Sequence, residues 1–169
     1  RWLQNDNKRW TRLITCNLDG SDIHIFPTSG MVSHICWVDD DKILAYARTK
    51  SHKDKYYIFT DKSDKYEVIG ENDLNSDGHP QIASNKEYFV TDTYSNRFRI
   101  QYLYLYSLKY NKLKEIARLH TPIKFRHKYA SCDLHPRWDR TGTMICFDAT
   151  FTGKRSLCTL DLKENSSLG

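Results

Sequence analysis

Three histidines set the scale on which this chain can fold. His34, His79 and His135 each open a similar layout: a short run led by the histidine, a polar turn and a second run rich in apolar residues, which alternates over Thr143 to Phe147. His34-Ile35-Cys36-Trp37-Val38 leads through Asp39 to Asp41 into Ile43-Leu44-Ala45-Tyr46. His79-Pro80-Gln81-Ile82-Ala83 leads through Ser84-Asn85-Lys86 into Tyr88-Phe89-Val90-Thr91. His135-Pro136-Arg137-Trp138 leads through Asp139 to Gly142 into Thr143 to Phe147. The intervals are 45 and 56 residues, and residues 121–134 supply the extra length of the second. Period-two alternation with β-branched and aromatic residues marks strands, and the Asp/Asn/Gly/Ser clusters between them mark turns. A repeat of about 40–45 residues built from short strands has the size of a β-propeller blade.

The fold expected is therefore all-β, a propeller fragment of about three complete four-stranded blades plus part of another. One partial domain spans residues 1–169. The partial blade covers residues 1–29, with an alternating strand at residues 10–16 and a short one at residues 23–26. Complete blades follow at 31–73, 79–119 and 135–162. The stretch Leu113 to Ala117 contains good helix formers, but the blade order calls for a strand there. A closed propeller needs about four to eight blades, so the chain reads as part of a longer protein. Its open sheet edges predict self-association or flanking blades. The end after Lys163 is polar and expected to fray.

Composition narrows the function classes. At 13% aromatic residues the chain is richer in rings than disordered segments. No apolar run approaches the roughly 18 residues of a membrane helix, so no membrane partner is expected. The net charge of +5 suits an anionic partner, but Lys and Arg are scattered without a basic arm. Nucleic acid is for that reason a weak third reading, resting on residues 124–128. The five cysteines form no CxxC pair. Cys146 and Cys158 fall on neighbouring strands, roughly opposite if the turn centres on Thr152, and read as two packed thiols. The pattern is not a disulfide framework, which favours the cytoplasm over the periplasm.

The chemistry-bearing residues converge on the histidines. Inner strands of a propeller line its channel, so matching positions on successive blades gather at one mouth. Imidazoles suit a divalent transition metal, and Asp77 and Asp133 each stand two residues before a histidine. A histidine at a strand start also serves as a plain hydrogen-bonding group that holds blades in register. Arg126, Arg137, Lys124, Arg97 and Arg99 are candidate anion binders, the last two read mainly as a solvated hairpin. Trp37 and Trp138, each three residues after a histidine, suggest blade-to-blade packing. Ser131-Cys132-Asp133-Leu134-His135 brings a thiol, an acid and a histidine close in sequence only. No P-loop, GxGxxG or G-x-S-x-G occurs.

The units HPQIASNKEYFVTD and HPRWDRTGTMICFD resemble the H-P-x-[WF]-S-P-D-G blade starts of Tol-type and oligogalacturonate-lyase-like propellers. The resemblance covers about residues 31–162. It implies His34 as a general base, His79 and His135 as ligands of a divalent metal, manganese in that family, and Asp133 where the family carries a further metal-binding His. Ala130 stands near the family's Gln ligand. It further implies an acidic oligosaccharide or polysaccharide as partner, bound at a His/Asp, metal-bearing channel mouth by Lys124, Arg126 and Arg137. The implied chemistry is β-elimination, a polysaccharide lyase reaction, with His34 taking the proton and Arg137 neutralising the uronate carboxylate. The alternative, from another class, is a non-catalytic propeller serving as a protein-interaction scaffold.

Overall fold

A computed structural model describes residues 2–3, 9–126 and 130–163. These form antiparallel sheets with no α-helix among the described residues, and two compact units, Arg1–Asp77 and Gly78–Gly169.

In the first unit, β1 (Trp2–Leu3) pairs with β2 (Arg9–Trp10), and β3 (Ile14–Thr15) pairs with β4 (His24–Ile25). The continuous strand expected at residues 10–16 is thus broken in two. The chain turns aside at Thr11, whose amide donates to the Gly30 carbonyl at 3.1 Å and whose hydroxyl accepts the Val32 amide. The following sheet is four-stranded and sequential: β5 (Thr28–Asp39), β6 (Lys42–Thr49), β7 (Lys55–Thr60) and β8 (Tyr66–Ile69). Leu13 and Phe26, joined by the Phe26 amide to the Leu13 carbonyl, pack on Ile43, Ala45, Tyr57 and Phe59 of that sheet. His34 lies inside β5, whereas His79 and His135 precede their strands.

The second unit repeats the plan. The strands β9 (Gln81–Ile82), β10 (Tyr88–Asp92), β11 (Ile100–Ser107) and β12 (Lys112–His120) form a sequential sheet. Strand β12 explains the helix-like look of its sequence. Leu103 pairs with Ala117 but Tyr104 with Glu115, so Ile116 is the extra residue of a bulge. The bulge shifts the phase and gives apolar residues at 113, 116 and 117. The third sheet has β13 (Arg137–Trp138), β14 (Met144–Ala149) and β15 (Ser156–Asp161), three strands among the described residues rather than the four expected. Along β14, Ile145, Phe147 and Ala149 are buried while the residues between them are half-buried, the period-two signature of a sheet with one face in a core. That core joins Val90 and Leu103 to Leu134, Ile145 and Phe147.

Two local details follow from chemistry legible in the residues. The turn at Asp139 to Gly142 closes on the Asp139 carboxylate, which accepts the amides of Thr143 and Met144 at 2.9 Å each and that of Thr141 at 3.2 Å. Gly142 has φ +69°, a conformation that favours glycine. Cys146 pairs with Thr159, and Cys158 with Phe147. The two thiols are therefore one register step apart and on opposite faces, not opposite each other; none of the five cysteines is in a disulfide.

Candidate metal and anion site

The site in the second unit is built around a residue that the histidine spacing does not mark. Asp92 ends β10 and is 1% exposed. Its Oδ1 accepts the His79 amide at 2.7 Å, and its Oδ2 accepts the His135 amide at 3.0 Å. Both oxygens also face Nδ1 of His79, at 2.9 and 3.0 Å. One carboxylate thus pins the leading histidines of two consecutive blades. Burial pushes the Asp92 pKa up, but the hydrogen bonds and charge of His79 and the two amides outweigh it, and the net direction is down. The carboxylate is ionised at neutral pH. Asp92 lies 13 residues after His79, as Asp148 lies 13 after His135, and that shared spacing is the sequence signal that could have revealed it.

Gly78 permits this arrangement. A Cβ at position 78 would stand 1.9 Å from the Asp92 carbonyl oxygen, closer than any side chain tolerates. His135 takes φ +43°, left-handed and uncommon for a non-glycine residue. The Leu134 carbonyl, just before it, accepts the Asp148 amide at 2.8 Å.

The imidazoles of His79 and His135 lie face to face at an angle, 3.8 Å between centroids and 44° between planes. Nδ1 of His79 faces an ionised carboxylate. Nδ1 of His135 is 3.3 Å from the Asp133 carbonyl oxygen, which can only accept. Both acceptors call for the proton on Nδ1, so each ring in its neutral form carries its lone pair on Nε2. This is the arrangement that orients metal-binding histidines. One donor atom each from His79, Asp133 and His135 all lie within 4.8 Å of one another. Two ligands at about 2.1 Å from an ion span at most about 4.2 Å, a spacing comparable with that of these two nitrogens and one oxygen. The donor set fits a divalent transition metal.

Beside the triad is a cavity of about 390 Å³ whose wall includes Asp133, Arg97, Arg99, Arg126, Gln101 and Ser131. Gln101, buried, anchors the wall: its Nε2 donates to the Cys132 carbonyl at 3.0 Å and its Oε1 accepts the Thr121 hydroxyl at 2.8 Å. Sequence reasoning missed Gln101, since an uncharged residue within an apolar strand gives no warning. Burial pushes the Cys132 thiol pKa up, against a nucleophilic thiolate at neutral pH.

The remaining predicted residues fall as follows. Arg126 is on the cavity wall with Arg97 and Arg99, which the sequence reading had left mainly to a solvated hairpin. Lys124 sits in a single 3-10 turn, Ile123–Phe125, over the Phe125 ring at 5.2 Å. Arg137 is exposed and donates to the His135 carbonyl at 3.2 Å. His127 and Lys128, members of the basic run, lie outside the described residues. His34 belongs to the first unit, where its Nδ1 is 3.1 Å from Asp77 and 2.9 Å from the Ser33 hydroxyl, which itself donates to Asp77 at 2.6 Å. Trp138 does join blades: its indole N–H donates to the Gln81 carbonyl at 3.1 Å, and its amide donates to the Gln81 side chain. Trp37 is 51% exposed.

No protein-family model matches the chain, and no curated protein matches it. Among solved structures, the chain is similar to the crystal structure of TolB from Acinetobacter baumannii, with 15% identity and a TM-score of 0.68. The match covers 94% of this chain and 37% of that one. No helix among the described residues is long and apolar enough to cross a membrane. The repeated antiparallel sheets and the likeness to TolB together give this chain the fold of a β-propeller fragment.

Proposed function

We propose that the second unit binds a divalent transition metal through Nε2 of His79 and His135 and a carboxylate oxygen of Asp133, and that the loaded site holds an acidic saccharide. What carries this reading is the hydrogen bonding at the two Nδ1 atoms, His79 to the Asp92 carboxylate and His135 to the Asp133 carbonyl, which puts each neutral ring's lone pair on Nε2, together with one donor atom each of His79, Asp133 and His135 within 4.8 Å of one another. Manganese is the ion suggested by the resemblance to oligogalacturonate lyases; the nitrogen-rich donor set also suits zinc. A bound ion would neutralise a uronate carboxylate and acidify the C–H beside it. Within the first unit by itself, Nδ1 of His34 lies 3.1 Å from an Asp77 carboxylate oxygen, a pairing that suits a general base with Nε2 as the accepting atom.

Calorimetric titration of the chain with Zn²⁺ and Mn²⁺, with Co²⁺ absorption reporting the coordination, tests the metal. One equivalent should bind, and His79→Ala or His135→Ala should weaken it at least tenfold with the circular dichroism unchanged. An absence of binding, or stoichiometric binding that survives both substitutions together, overturns the reading and leaves a non-catalytic scaffold in its place.

A further inference from the structure

The cavity next to the triad has a chemistry of its own. Three arginines and one aspartate line it, a formal surplus of two positive charges around about 390 Å³, a volume at the small end for a ligand pocket. Planar guanidinium groups favour oxyanions, which they contact at two points. The loop between β10 and β11 that carries two of them is rigidly built. Asn96 accepts the amides of Phe98 and Ile100 at 2.9 and 3.0 Å, and the Arg99 carbonyl accepts the Thr121 amide at 2.7 Å. Arg99, a lining residue, sits at φ +61°, where Gly or Asn would be easier, and its guanidinium donates to His120 Nε2 at 3.2 and 3.3 Å.

The one acid on the wall is Asp133, which is also the oxygen donor of the triad. We infer that the Arg97–Arg99–Arg126 cavity is a binding site for a small oxyanion, carboxylate or sulfate, and that a metal ion on Asp133 tightens it. The inference rests on the proposed metal site for its second half alone. Without an ion the Asp133 carboxylate repels an incoming anion. With an ion that charge is neutralised, and the local field turns positive. By linkage the anion must tighten the metal by the same factor.

Titrations of the full chain with sulfate and with D-glucuronate, followed by NMR, test both halves, with neutral D-glucose as control. Sulfate and glucuronate should bind and glucose should not. Joint substitution Arg97→Ala and Arg126→Ala, at exposed positions, should weaken both at least tenfold. Saturating Zn²⁺ should tighten them by about fivefold or more, the lower end of ordinary coupling. Asp133→Asn should tighten them in the absence of metal and abolish the zinc effect. If zinc fails to bind but the arginine and Asp133 effects persist, the metal reading falls and the oxyanion cavity stands. If zinc binds while anion affinity ignores the arginines and Asp133, the cavity inference is overturned and the metal reading survives.

Discussion

Replacing Asp92 by Ala removes the acceptor for two backbone amides and one imidazole N–H at a site sealed from solvent. Each buried donor left without a partner costs about 1–3 kcal/mol, and three lose theirs here. The expected loss is about 3–5 kcal/mol, enough to unfold a marginal domain. Asp92→Asn keeps the shape but exchanges one acceptor oxygen for an NH2 facing an N–H, and should cost about 2–3 kcal/mol. The assay is urea unfolding followed by tryptophan fluorescence. The pH dependence is a second readout. The folded-state pKa of Asp92 lies below its ordinary 3.8. The stability it contributes is complete above 3.8 and is lost as the pH falls through the lower folded value. The gap between wild type and Asp92→Ala should hold from pH 7 to 5 and shrink in stronger acid. An Ala variant within about 1 kcal/mol of wild type at pH 7, with an unchanged denaturant slope, would refute the reasoning.

Two further outcomes test the local geometry. Gly78→Ala should abolish native folding of the second unit, because its Cβ would collide with backbone, whereas Gly153→Ala, with nothing within 4 Å of its Cβ but φ +84°, should cost only about 1–2 kcal/mol in the same unfolding assay. The Asp139 carboxyl, held down first by the Thr141 hydroxyl and then by backbone amides, should titrate near 2 by NMR, so that the turn's contribution to stability is intact above 3.8 and lost towards pH 2; a midpoint close to 3.8 would mean that the turn is not closed by that carboxylate.

The strands were legible where sheet pairing is local. Residues 66–69 and 88–92 are short runs rich in aromatic and β-branched residues and form strands at those bounds, since a hairpin neighbour supplies the ladder. The break at Thr11 was not legible. It depends on Gly30 and Val32, some twenty residues on, and a propensity scan does not see such partners. The Cys146–Cys158 offset escaped for a finer reason: one residue of hairpin register changes the face of every side chain. In the candidate site the histidines were visible by period, but Asp92 and Gln101 owe their roles to burial and to several simultaneous hydrogen bonds. Nothing in a lone Asp at the end of a strand shows that it will serve two blades.

That double service bears on how the second unit assembles. Repeat architectures often melt piece by piece, each element leaning only on its neighbour. Here a single anion is shared between consecutive repeats, and neither is complete until the other is in place. The pair should therefore be gained and lost as one cooperative step, and a chain cut between residues 120 and 134 would take from the Asp92 carboxylate the His135 amide that its Oδ2 accepts.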